Sequence, residues 1–255
     1  MKNARKVLLI GGSGTLGSSI INSKVFKNLD YPTKKKLNLL KRQNIKKFLK
    51  KKYYLIINCA ALARMKECEK NPTEAVKMNI YGTWNLIQEI LNYEKKNKNK
   101  VKLIHISTDG VYPSTKGNYS EKDILQPYNI YGWTKLYSES IVKNLKNFVI
   151  IRTRFFDKNK IKFNTAATDI FTSMIEVEKL VNEIKNISLT NFVGELNVGG
   201  KRKSDFNNYK KYKPTIKPCL RKNILKSINL DLAQDASMNL SLFKKLKRGL
   251  WKSIH

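Results

Sequence analysis

Tyr131 and Lys135 close the run Pro127-Tyr-Asn-Ile-Tyr-Gly-Trp-Thr-Lys135. On a helix that spacing sets both side chains on one face. A phenol with a pKa of about 10 exchanges protons poorly at neutral pH, and a neighbouring ammonium favours its ionised form. The pair therefore suits general acid–base work. The spacing alone is common, and Tyr209 and Lys213 repeat it. A second chemical feature, Ser107-Thr-Asp-Gly-Val-Tyr112, follows an apolar run. A hydroxyl at a strand end can donate to a carbonyl oxygen as it gains negative charge, which recommends Thr108 beside Tyr131. Its plainer alternative is a turn or helix-cap hydroxyl.

Gly11-Gly-Ser-Gly-Thr-Leu-Gly17 satisfies both GxxGxxG and GxGxxG directly after the apolar run Val7–Ile10. A dinucleotide needs a tight turn there, close backbone approach to its pyrophosphate, and free N–H groups at a helix start. Gly11, Gly14, Thr15, Leu16 and Gly17 are the candidates. NAD(H) would favour an acid at the end of the second strand. Asp30 is the nearest, and none follows before Glu67. Thr33, Lys34 and Lys35 occupy that region, and a cation such as Lys34 suits a 2′-phosphate. NADP(H) is therefore favoured, with NAD(H) the alternative and the lysines as plain surface charge the competing reading.

The elements that must carry these groups alternate short apolar runs with helical patterns, the sign of an α/β fold with a Rossmann-type, doubly wound parallel sheet. Strands are expected at Lys6–Ile10, Tyr54–Asn58, Lys102–Ser107, Phe148–Arg152 and Gly194–Val198. Helices are expected at Thr15–Phe26, Pro72–Tyr93, Ile130–Leu145 and Ile175–Ile187. The second strand is poorly marked, near Leu29–Thr33. Residues 1–153 read as the dinucleotide-binding part, with 175–200 packing back onto it, and 154–255 mainly as a small C-terminal substrate-binding lobe.

Basic residues number 51 against 19 acidic, a net charge of +32. The charge is spread along the chain without a nucleic-acid-reading motif, so no specific nucleic-acid partner is expected. The densest stretch, Lys34–Lys52, holds nine lysines, one arginine and no acid. Leu39, Leu40, Ile45, Phe48 and Leu49 fit one helical stripe there, which makes the lysines a solvated face. The opening apolar run is too short for a signal segment or a membrane span. Cys59, Cys68 and Cys219 form no ligand spacing; free thiols, a cytoplasmic location and no metal are expected.

Taken together, Gly11–Gly17, Ile57-Asn-Cys-Ala-Ala61, Asn79-Ile-Tyr-Gly-Thr-Trp-Asn85, Ser107–Tyr112, Tyr131–Lys135 and Ile151-Arg-Thr153 carry a resemblance. The chain resembles the extended short-chain dehydrogenase/reductases, and within them the dTDP-4-dehydrorhamnose reductase group of sugar-nucleotide 4-ketoreductases. Weaker echoes follow in Gly194–Gly200 and Asp235–Phe243. The resemblance implies an NAD(P)-dependent oxidoreductase acting on a nucleotide-sugar. Tyr131 would be the acid, Lys135 its partner, and Thr108 the carbonyl-orienting hydroxyl. Ala60, Ala61, Asn79 and Ser107 would line the cofactor cleft, and Asp109, Val111 and Arg154 would touch substrate. Arg152, Arg154, Lys201 and Arg202 are candidates to grip a diphosphate, on the fit of guanidinium to phosphate. Gly110 stands where the group carries an aromatic residue, which opens room near the substrate. An epimerase or dehydratase, and a non-catalytic regulatory subunit, are the alternatives, and a homodimer is left open.

Overall fold

A computed structural model describes residues 5–98, 100–227 and 231–254. The first strand, β1 (Val7–Ile10), is buried along its whole length, as a central parallel strand must be. The glycine turn leads into α1 (Thr15–Ser23). The second strand, β2, is only Leu29–Asp30. Pro32 lies just beyond it and has no N–H for the ladder, which accounts for its brevity. Next come α2 (Arg42–Leu49), β3 (Leu55–Asn58), α3 (Met65–Lys70) and α4 (Pro72–Val76). A π-helical turn over Lys77–Tyr81 joins α4 to α5 (Gly82–Asn97), so the expected long helix carries a widened turn inside it.

The strand β4 (Lys102–Ile106) ends at a 3₁₀ turn, Asp109–Val111. The helix α6 (Ile130–Val142) and β5 (Phe148–Arg152) follow. Four short strands come next, β6 (Phe155–Phe156), β7 (Thr165–Ala167), β8 (Phe171–Thr172) and β9 (Ile175–Glu176). They lead to α7 (Val177–Ser188) and β10 (Gly194–Asn197). The remainder holds β11 (Lys203–Ser204), α8 (Asp205–Lys210), β12 (Lys217–Cys219), α9 (Arg221–Ser227) and α10 (Ser241–Ile254).

Six strands pair in the order β10-β5-β4-β3-β1-β2, every pair parallel. Alternate residues feed opposite faces. Val7, Leu9, Leu55, Ile57 and Val149 join α1 and α7 residues in one core, while Leu8, Ile10, Ile56 and Ile150 join α2 and α5 residues in the other. The return of 175–200 takes the form of α7 against α1 and β10 beside β5. One return was not foreseen: Phe243 of α10 also enters the first core, so the chain beyond Arg154 is not all lobe.

The basic stretch differs from its expected stripe. All nine lysines of 34–52 are exposed, but the helix starts only at Arg42. Leu39 is buried ahead of it and Leu40 is exposed, because turns closed by Leu37 N–H on Thr33 O and Lys41 N–H on Asn38 O precede the helix. No helix among the described residues is long and apolar enough to cross a membrane. No group of His, Cys, Asp or Glu among them could hold a metal ion.

Candidate active site

The C-terminal ends of β1, β3, β4 and β5 open onto one crevice of about 400 Å³. Gly11, Gly14, Thr15, Leu16 and Gly17 form one wall, and Cys59, Ala61, Ala63 and Met65 another. Gly11 has φ +88°, and a Cβ there would lie 2.6 Å from Ala60 N. A Cβ on Gly17 would lie 2.2 Å from Gly11 O. Gly14 caps α1 without a side-chain hydrogen bond, and no acid stands in the first turn. The helix start thus offers N–H groups and positive partial charge to an anion. This glycine-walled cradle fits the pyrophosphate of a dinucleotide. Ala60 lies behind Gly11, its amide donating to Asn58 Oδ1 at 3.2 Å.

Asn79 is placed differently from the expectation. It is buried behind the crevice, where Oδ1 accepts from Leu62 N at 2.7 Å and Nδ2 donates to Leu62 O and Thr134 Oγ1. It braces the wall rather than facing a ligand. Lys34 is exposed in the turn after β2 and does not line the crevice. Asp30 is engaged: its carboxylate accepts from Tyr53 Oη at 2.5 Å and Lys51 Nζ at 3.1 Å.

Ser107, Thr108 and Tyr131 meet in the crevice. Ser107 Oγ donates to Glu139 Oε1 at 2.5 Å. Thr108 caps the 3₁₀ turn, accepting from Gly110 N at 3.1 Å and donating to Asp109 Oδ1 at 3.2 Å. The cap role and the crevice position therefore coincide in one hydroxyl. Burial holds the Tyr131 phenol well above its usual range, helped by the Asp109 carboxylate and opposed by Arg154. Lys135 departs from the expected arrangement. It is buried outside the crevice lining, with Nζ 3.0 Å from His105 Nε2, and burial brings its pKa down to about 8. Among the described residues, the cation acting on Tyr131 is Arg154.

Two expected substrate contacts are corrected. Val111 is fully buried in a cluster with Tyr112, Tyr119 and Met238. Asp109 is fully buried too, its Oδ2 2.7 Å from Arg154 Nε, so it anchors Arg154 while Arg154 lines the crevice. The other diphosphate candidates are spoken for or remote. Arg152 is buried, with Nη2 2.8 Å from Glu139 Oε2 and Nη1 3.0 Å from Tyr112 Oη. Arg202 pairs with Asp235 at 2.8 Å, and Lys201 lines a separate hollow with Lys203 and Lys211. Sequence reasoning missed Tyr128, Asn129, Thr153 and Phe155 in the lining. Thr153 and Phe155 follow a parallel strand, the position where ligand groups gather, which was an available signal. The Thr153 hydroxyl is buried without a hydrogen-bond partner and stands ready for one from a ligand.

Comparison with known proteins agrees with this architecture. The dTDP-4-dehydrorhamnose reductase of Bacillus anthracis, solved in complex with NADP, superposes with a TM-score of 0.82 at 21% identity, covering 97% of this chain and 98% of that one. A hypothetical dTDP-4-dehydrorhamnose reductase from Sulfolobus tokodaii gives 0.79 at 26% identity, covering 94% of each chain. Among curated proteins, methionine adenosyltransferase 2 subunit beta of Rattus norvegicus is 30% identical over 151 residues, which is 54% of this chain and 43% of that protein. The spore coat polysaccharide biosynthesis protein SpsK of Bacillus subtilis is 26% identical over 191 residues, 72% of this chain and 62% of its own length. The chain thus spans about half the length of the curated relatives it matches. Residues 5–182 match the profile of the RmlD substrate binding domain. On that match the chain belongs to the RmlD substrate binding domain family, an α/β group with a parallel central sheet.

Proposed function

We propose that the protein is an NADP(H)-dependent reductase of a 4-keto group on a nucleotide-activated deoxysugar. The observation that carries the reading is the sharing of one crevice by the glycine cradle and by the Thr108 and Tyr131 hydroxyls. The dinucleotide, when bound, supplies hydride to the carbonyl carbon. The chain does the rest. Gly11, Gly14 and Gly17 let backbone approach the pyrophosphate, with the start of α1 facing its charge. Tyr131 donates to the carbonyl oxygen and gives up its proton as the oxygen becomes a hydroxyl, and Thr108 joins it once its hydroxyl turns from Asp109 Oδ1. A phenol whose pKa burial has raised arrives protonated, as that role requires. Lys135, turned toward the crevice, would stabilise the phenolate left behind.

The 2′-phosphate preference is supported by two facts. Asp30, the acid at the end of β2, is already held by Tyr53 and Lys51. Lys34 and Lys35 are exposed just beyond it. A second reading, a non-catalytic regulatory subunit, is favoured by one observation: Lys135 is engaged by His105 rather than serving Tyr131. Relatives named as the beta subunit of methionine adenosyltransferase 2 point the same way. An epimerase or dehydratase, which recycles bound cofactor, is the remaining enzymatic alternative.

NADPH oxidation across a panel of nucleotide 4-keto-6-deoxysugars, with Tyr131→Phe alongside, separates these. The reductase reading expects net oxidation, and a fall in kcat of roughly 10²–10⁴ for the variant, the usual worth of a positioned acid. Dinucleotide binding without turnover on any substrate selects the subunit reading, and turnover without net oxidation selects the epimerase or dehydratase.

A further inference from the structure

A hollow of about 210 Å³ lies across β6 from the crevice. Successive side chains of a strand face opposite ways, and β6 is only Phe155–Phe156. Phe155 accordingly lines the crevice and Phe156 the hollow, and the two cavities share no lining residue. The segment after β10 forms one wall. A Cβ on Gly200 would lie 2.6 Å from Met174 O, so glycine lets this segment pack closely and brings Lys201 and Lys203 to the hollow. The helix α8 forms another wall. Ser204 caps it, accepting from Asn207 N at 3.2 Å, and buried Asn208 ties it to Thr172 Oγ1 at 3.3 Å. Lys211 follows the helix into the same lining.

Four lysines and one acid line this space. The acid, Glu176, is engaged: it accepts from Tyr212 Oη at 2.6 Å and pairs with Lys179. Among the described residues no carboxylate pairs with Lys201, Lys203 or Lys211, the last lying 5.2 Å over the Tyr212 ring. Three ammonium groups around one concave space repel each other, and the apolar wall of Phe156, Met174 and Ile175 focuses their field. An anion seated there relieves the repulsion. Ammonium groups hold phosphate as point charges, without a fixed fork. The volume decides how large the anion is. Sites for drug-sized ligands run from about 300 to 1,000 Å³. The hollow is smaller, so it admits a phosphoryl group on a short stem and not a whole dinucleotide or nucleotide-sugar.

We propose that this hollow is a binding site for a compact phosphate monoester, with Lys201, Lys203 and Lys211 on the oxyanion and Phe156 and Met174 against the stem. The assignment is independent of the reductase reading, because a ligand in the hollow leaves the crevice open.

Amide spectra of ¹⁵N-labelled protein at low ionic strength test it, with phenyl phosphate, inorganic phosphate and chloride as probes. Phenyl phosphate should shift the amides of residues 200–203 and 207–212 and saturate them as one site. Inorganic phosphate should shift the same amides with several-fold weaker affinity. The double variant Lys201→Gln, Lys203→Gln should bind phenyl phosphate about tenfold or more weakly, the worth of lost charge-assisted contacts. Lys95→Gln with Lys146→Gln removes the same charge from exposed positions outside the hollow and should leave the affinity nearly unchanged. Equal losses in the two double variants, shifts that spread over the lysine surface without saturating, or equal shifts from chloride at the same ionic strength overturn the proposal. Phosphate that binds as tightly as its phenyl ester overturns the role of the stem and leaves inorganic phosphate as the ligand. Shifts at residues 11–17 report the crevice separately, so failure of one cavity leaves the result for the other intact.

Discussion

Arg154 Nε stands 2.7 Å from Asp109 Oδ2, although the two residues come from the ends of different strands, β5 and β4. The carboxylate is wholly buried and the guanidinium side chain is 25% exposed. Asp109 therefore fixes an arginine whose remaining edge looks into the crevice. Removing Arg154 leaves a buried carboxylate unpaired, which costs about 3–5 kcal/mol. Arg154→Ala should show that loss as a lowered denaturation midpoint. Arg154→Lys keeps the charge but not the fork, and should fold near normally while raising KM several-fold with kcat less changed. Equal stability of the alanine variant would show that the pair carries no structural weight.

The glycines make a paired prediction. A Cβ on Gly17 would lie 2.2 Å from Gly11 O, a backbone atom that cannot step aside cheaply. Gly17→Ala should destabilise by about 1–3 kcal/mol and abolish dinucleotide binding. A Cβ on Gly14 meets nothing nearer than 3.6 Å, and its φ of −76° is ordinary. Gly14→Ala should leave thermal stability almost unchanged while weakening dinucleotide affinity, because Gly14 lines the crevice that the proposed dinucleotide would fill. Thermal melts beside binding titrations read both.

Asp205 predicts a pH dependence. Burial raises its pKa to about 6, with Asp109 adding to the shift and Arg154 opposing it, and its Oδ1 has no hydrogen-bond partner. The unfolded chain loses that proton more readily, near pH ~3.9. The carboxylate therefore costs the fold nothing below that value, and the cost grows until about pH 6. Asp205→Asn should raise Tm at neutral pH, by about 1–2 kcal/mol in stability, and leave it unchanged near pH 4. The loss of a charge at the start of α8 subtracts a few tenths of a kcal/mol. A gain of the same size at acid pH would refute the cause.

Cofactor choice can be reversed if Lys34 and Lys35 hold the 2′-phosphate. The double change to Glu should lower kcat/KM for NADPH relative to NADH by about tenfold or more, the worth of a lost charge-assisted contact. An unchanged ratio would return both lysines to the solvated surface.

How much of this was legible in the chain depends on distance along it. The glycine turn, Thr108 and Tyr131 could be read because each is a local pattern tied to a strand end or a helix face. The sheet was legible for the same reason, its strands being continuous apolar runs buried on both sides. Val111 was misplaced because a 3₁₀ turn after β4 rotates its side chain into a core that no local periodicity announces. Asp109 and Lys135 were given the wrong neighbours. Arg154 reaches Asp109 from beyond the neighbouring strand, as the register of β4 on β5 sets, and His105 of β4 reaches Lys135 from under α6, contacts that no local pattern announces. The short β2 left the cofactor question open, since two residues give no periodicity to read.

The widened helical turn at Lys77–Tyr81 aims Asn79 inward, where one amide grips both sides of the Leu62 backbone and touches Thr134 of α6. That side chain rivets the stretch after β3 to the helix bearing Tyr131. Stiffness in the molecule is thereby distributed unevenly: the Asn79-braced wall of the crevice is set by its own hydrogen bonds, and a ligand received there would cost it little entropy. Whatever adaptation recognition demands is left to the far bank of the cleft, where Arg154, Phe155 and the short paired strands meet it.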